Sequence, residues 1–133
     1  MKSGSPDLME GSRALREPAD LLEHNLIHIL GYVEGWGLWL NAAGINAGGV
    51  DRGLMVDTSL IAFEVAAKGS GIALGRSSVM HKELESGRLV APFDLRVPIS
   101  EAFHLVSPQD GTEHPDTPKF RNWLLEHIHR DVA

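Results

Sequence analysis

The feature that most constrains this chain is the run from Gly53 to Gly87, where apolar segments, hydroxyl residues and single glycines follow one another in a fixed order. Gly53-Leu54-Met55-Val56 reads as a strand, Asp57-Thr58-Ser59 as a helix cap, and Leu60 to Lys68 as a helix that Gly69 ends. Gly71-Ile72-Ala73-Leu74-Gly75 is then a short strand. Ser77 and Ser78 are expected to cap a second helix, which runs to about Leu84 and stops at Gly87. Strand, helix, strand, helix implies right-handed crossovers, hence parallel strands in an α/β sheet covered by helices.

The flanks extend this unit. Leu26 to Leu30 is an apolar run suited to a strand buried on both faces, closed by Gly31. Trp36, Trp39, Leu40 and Ala43 recur at helical spacing before Gly44, so the two tryptophans are expected in the core with their indole N–H groups paired locally. Ile45 to Arg52 reads as a loop. Pro18 to Leu22 resembles a helix first turn with Asp20 near the positive dipole end. Residues 1–17 read as a connector. Arg88-Leu89-Val90 is a minimal strand and Ala102 to Val106 a fuller one. Thr117-Pro118 opens a last helix whose Phe120, Trp123, Leu124, Leu125, His127 and Ile128 form a stripe that needs a surface to cover.

Composition narrows the function classes. A chain of 133 residues, 43% hydrophobic and 23% charged, suits one compact core. The net charge of −6, with Lys and Arg scattered, offers no phosphate-neutralising stripe, so direct contact with nucleic acid is not expected. With no cysteine there are no disulfides, thiolate metal sites or cysteine nucleophiles. No apolar run approaches membrane-spanning length, and Met1-Lys2-Ser3-Gly4-Ser5 leads into Pro6-Asp7 rather than a signal core. A cytoplasmic protein that does not associate with membranes is the expectation.

Ligands of open α/β sheets lie beyond the carboxyl ends of the strands, where helix N-termini present unpaired N–H groups. Thr58 and Ser59 follow one strand and Arg76-Ser77-Ser78 the next, so both places suit a small carboxylic or amino acid through hydroxyl, dipole and guanidinium. The same residues also serve as plain helix caps and a solvated surface charge. His24 and His28 lack acidic or thiolate companions, and His127 and His129 suit the negative end of a helix; no metal or cofactor is expected. Glu83 and Glu85 read as a solvated face. No nucleophile elbow, phosphate-binding glycine loop or zinc helix is present, which argues against an enzyme.

Taken together, these segments resemble the C-terminal part of the substrate-binding domain of LysR-type transcriptional regulators, in the subgroup of the glycine-cleavage activator. The most specific stretch is Asp57-Thr58-Ser59-Leu60-Ile61-Ala62, Ala66-Ala67, Gly69 through Gly75, and Leu84-Glu85-Ser86-Gly87-Arg88-Leu89-Val90 with Pro92-Phe93. Leu15 to Leu21, Leu26-Ile27-His28, the Trp36–Gly44 region, Phe103 to Val106 and Phe120 to Leu124 also match. The resemblance implies the second lobe of a periplasmic-binding-protein-like (type 2) effector domain, plus the returning strand and C-terminal helix of the first lobe. It divides the chain into a crossover connector (1–17), the second lobe (18–98) and a part that packs on the first lobe (99–133). It places the first lobe and the winged helix-turn-helix outside this chain. It carries effector contacts onto Thr58, Ser59 and the crossover Ser5, with Arg76 and Ser77 alongside. An uncovered apolar stripe would also favour a homo-oligomer.

The reading is therefore a non-enzymatic sensor of a small carboxylate or amino acid that controls transcription. A stand-alone solute-binding or dimerisation module is the alternative, and a small α/β enzyme ranks behind both because no catalytic set supports it.

Overall fold

The computed structural model describes residues 2–9, 14–49 and 53–132. The chain divides into two compact units, Met1–Ser100 and Glu101–Ala133. In the first, strands β1 (Lys2–Ser3), β2 (Leu26–Ile29), β3 (Met55–Val56) and β4 (Ile72–Leu74) form one sheet in the order β1-β4-β2-β3. β2 runs parallel to both neighbours, with His28 opposite Met55 and Ile27 opposite Ala73, so the expected parallel sheet is present. β1 runs antiparallel to β4, Lys2 opposite Leu74, and Gly4 bridges to Val90. The connector thus supplies an edge strand rather than a loop alone; two residues are too few to show the alternation that marks a strand. Its residues 10–13, like residues 50–52 of the expected loop before β3, lie outside the described residues.

Alternation along the strands sends side chains to two separate cores. Leu26, Ile72 and Leu74 meet Trp36, Trp39 and Leu40 of α1 (Trp36–Ala42) on one face. Ile27, Ile29, Val56 and Ala73 meet Ala62, Phe63 and Ala66 of α2 (Ser59–Ala67) and Met80 of α3 (Ser77–Glu85) on the other. The β2–α1–β3 crossover steps one place along the sheet, and β3–α2–β4 steps back two over the opposite face. Reversing both direction and face preserves hand, so both crossovers share the one hand that twisted parallel sheets select.

Both α1 and α2 end through backbone closure on a left-handed glycine. Gly44 (φ +78°) and Gly69 (φ +77°) let the next N–H reach back, Ile45 to Leu40 O at 2.9 Å and Ser70 to Val65 O at 3.2 Å. The tryptophans lie in the core as expected. Trp36 Nε1 donates to Ile27 O at 3.0 Å, and Trp39 Nε1 donates to Leu95 O at 3.1 Å, a partner 56 residues away rather than a local one.

Four expectations need correction. Arg88-Leu89-Val90 is not a strand: it contributes only the isolated bridge from Val90 to Gly4, one residue pair being too little for a ladder. Pro18–Glu23 forms a 3-10 helix, fixed by Asp20 Oδ2 accepting from Arg16 N–H (2.9 Å) and Glu17 N–H (3.0 Å). α3 begins one residue earlier than its serines suggest: Arg76 is the N-cap and Ser77 and Ser78 are its first helical residues, because Arg76 C=O already accepts from Val79 and Met80. Ala102 to Val106 does not pair as a strand; no strand lies beside it among the described residues, and Phe103 and Val106 are exposed.

The second unit is built on α4 (Thr117–Val132). Phe120 stacks on Trp123, whose ring lies 4.4 Å from His127, and Arg121 pairs with Glu113. His127 Nδ1 lies 2.8 Å from Trp123 O, so the ring is fixed by its own helix. Phe120, Trp123, Leu125 and Ile128 of the stripe are exposed; the side chain of His129 lies outside the described residues.

Candidate ligand-binding site

The sheet has a point where its connections part. β2 exits toward the α1 face and the adjacent β4 exits toward the α3 face, so a crevice opens beyond their carboxyl ends, the usual ligand position in doubly wound sheets. Tyr32 follows β2 and Arg76 follows β4; the guanidinium carbon lies 4.1 Å from the centre of the Tyr32 ring. This geometry is a cation–π contact. Arg76 is therefore laid against an aromatic face rather than being the solvated charge that its position allowed.

Beside this pair a cleft of about 340 Å³ is lined by residues that include His28, Tyr32, Glu34, Leu38, Met55 and Leu74. Met55, His28 and Leu74 face it because the strand register puts all three on the α1 side. Among the described residues, His28 Nε2 is buried without a hydrogen-bond partner. A Cβ on Gly53 would stand 3.2 Å from the His28 ring and 2.3 Å from Leu26 O, so a glycine there leaves the ring its place. Both Glu34 oxygens accept from Ser100 N–H, at 3.3 and 3.0 Å, and Glu34 Oε1 also accepts from the Ser100 hydroxyl. The hydroxyl and then the N–H of Ser100 hold the Glu34 carboxyl below its ordinary pKa.

The residues expected from sequence sit as follows. Thr58 is the N-cap of α2, its hydroxyl accepting from Ile61 N–H at 3.3 Å, and Ser59 is the first helical residue. Ser77 opens α3, exposed, next to Arg76. These four lie at one edge of the sheet, beyond β3 and β4, with the end of β2 between them. Ser5 lies apart: β1 runs opposite to β4, so Ser5 is carried toward the start of that strand, where it is buried and its Oγ is 3.5 Å from Asp7 N. None of the five lines the cleft itself. Sequence reading missed Tyr32, Glu34, His28 and Met55; the available signal was the loop Gly31-Tyr32-Val33-Glu34-Gly35 directly after a buried strand. No three His, Cys, Asp or Glu among the described residues are grouped to hold a metal ion.

A crevice at a strand switch point, walled by apolar side chains, with hydroxyls and one guanidinium at the same edge of the sheet, is the arrangement in which open α/β domains commonly take ligands. The profile of the LysR substrate binding domain matches residues 4–129, and the chain belongs to that family. It is 32% identical over 121 residues to the glycine cleavage system transcriptional activator of Escherichia coli K12, covering 91% of this chain and 39% of that protein. It is 36% identical over 118 residues to the HTH-type transcriptional activator AmpR of Pseudomonas aeruginosa, covering 88% and 39%. The effector domain of that AmpR superposes with a TM-score of 0.76 at 28% identity, covering 98% of this chain and 61% of the domain. The fold is thus the periplasmic-binding-protein-like fold of LysR effector domains. The chain spans about two fifths of the length of the activators it matches. No helix among the described residues is long and apolar enough to cross a membrane.

Proposed function

We propose that this chain is an effector-sensing part of a LysR-type transcriptional regulator and that it binds a small carboxylate or amino acid at the carboxyl edge of its sheet. The observation that carries this is the crevice between β2 and β4, where Tyr32 and Arg76 meet beside a cleft of about 340 Å³, a volume suited to a small metabolite. Thr58, Ser59 and Ser77 present the first N–H groups of α2 and α3 at the same edge, which favours a negatively charged pole in the ligand. Residues 18–98 form the lobe that bears the site, and residues 99–133 pack on the other lobe of such a domain.

The ligand acts by binding without turnover, its differential affinity for two arrangements of the regulator shifting their populations. DNA contact falls to other parts of the regulator, in line with the net charge of −6. The exposed Phe103, Val106, Phe120 and Trp123 favour association with another chain, a homo-oligomer in this reading and a dimerisation module in the alternative one. The regulator works in the cytoplasm, where its genes are.

A thermal-shift screen of small carboxylates and amino acids tests the site. Ligands that stabilise the chain should lose that effect in the Thr58→Ala, Ser59→Ala double variant and in Arg76→Ala. Stabilisation that survives both variants would place the ligand elsewhere.

A further inference from the structure

We propose that Glu34 is a latch: it receives the positively charged nitrogen of a ligand in the cleft and thereby releases Ser100, the residue at which the chain leaves the first unit. The proposal rests on the cleft being the effector site.

Glu34 belongs to two structures at once. Its side chain lines the cleft with Tyr32, Leu38, Met55 and Leu74, and both its oxygens hold Ser100. Ser100 is the last residue of the first unit and Glu101 the first of the second. The segment before it is strapped along α1, where Phe93, Leu95 and Val97 pack on the tryptophan core and Leu95 O receives the Trp39 indole N–H. Beyond that strap Ser100 is exposed, so its contact with Glu34 is not locked in by burial.

The chemistry favours exchange. The N–H and O–H of Ser100 bring no net charge to the Glu34 carboxylate, whereas an ammonium adds a full opposite charge to its hydrogen bonds there. Leu38, Met55 and Leu74 give such a ligand an apolar wall for its carbon chain. The carboxylate also disfavours a ligand that carries only negative charge. A bound ammonium therefore competes with Ser100 for the same two oxygens, and when it wins Ser100 is released from the first unit's cleft.

The test uses the full 133-residue chain, with methyl NMR of Met55 and Leu74 and amide hydrogen exchange at Ser100 and Ile72. The Ile72 N–H, bonded to Asn25 O at 2.8 Å inside the sheet, is the internal control. Propylammonium chloride is compared with sodium propionate and sodium chloride at equal ionic strength. Propylammonium is expected to shift both methyls and raise Ser100 exchange tenfold or more without changing Ile72. Glu34→Ala should show the raised rate from the start. Glu34→Gln, which keeps the shape and an acceptor but not the charge, should keep protection at Ser100 and lose the response to propylammonium. Methyl shifts with unchanged Ser100 exchange would overturn the latch and leave the cleft reading standing. Shifts with propionate instead would overturn the charge assignment and again leave the cleft. Silence of the methyls toward both would end the latch and the cleft reading together.

Discussion

The Arg76 guanidinium lies over the Tyr32 ring at 4.1 Å, joining the loop after β2 to the loop after β4 where the connections of these two strands diverge. A cation on an aromatic face at a partly exposed site contributes about 0.5–1 kcal/mol. Tyr32→Leu should therefore lower unfolding stability by about that amount, and Arg76→Lys should retain only part of the contact because an ammonium lacks the planar face that stacks. Urea unfolding of both variants checks this. Equal stability of Tyr32→Leu and the native chain would mean the contact is incidental.

Thr58 caps α2 through the Ile61 N–H, and the capping contact predicts a clean pair of variants. Thr58→Ala should cost about 1 kcal/mol and Thr58→Ser little. Ser77→Ala should change stability by much less, since Ser77 is the first helical residue and Arg76 occupies the cap. Thermal unfolding midpoints of the three variants separate these positions.

How much of this was legible beforehand depends on the range of the interaction. Gly44, Gly69 and Gly87 marked helix ends because a left-handed residue after a helix is a local requirement, and all three have φ between +74° and +78°. The apolar runs of β2 and β4 were legible because a strand buried on both faces carries its own signature. What escaped is long-range. The partner of Glu34 is 66 residues away and that of Trp39 is 56, so nothing near either residue announces the strap along α1. The Ala102–Val106 segment shows the opposite failure: its composition suits a strand, but a strand exists only where another offers its N–H and C=O groups.

Gly75 is required for its size, not its backbone angle. A Cβ there would stand 1.9 Å from Met80 Sδ and 3.1 Å from Phe63 Cε1, and Met80 is fully buried against the sheet. Gly75→Ala should destabilise by about 1–3 kcal/mol through overpacking. Met80→Ala alone should cost about 2–5 kcal/mol by leaving a cavity. The double variant should cost clearly less than the two together, because the new methyl occupies part of the space that the thioether vacates. Denaturant unfolding of the cycle checks it, and simple additivity would contradict the packing described.

The acid limb of the stability curve follows from carboxylates whose pKa is lowered in the folded chain. Asp20 is lowered by the Glu17 N–H and then the Arg16 N–H, Glu34 by the Ser100 hydroxyl and N–H, Glu64 by its hydrogen bond to Arg88, and Asp110 by the Thr112 hydroxyl. A group with a depressed folded pKa binds its proton more readily in the unfolded chain, so its contribution is complete above the unfolded value and is lost as pH falls through the folded one. Stability should thus be level near neutrality with respect to these four and decline as pH drops below the ordinary carboxylate range, about 4. Asp20 offers the clearest test because its acceptor oxygen fixes the turn that buries Leu21. Asp20→Asn should lower the unfolding midpoint at pH 7 and flatten its fall as pH drops below the ordinary aspartate value of about 4. An unfolding midpoint that falls as steeply in Asp20→Asn as in the native chain would show that Asp20 takes no part in the acid response.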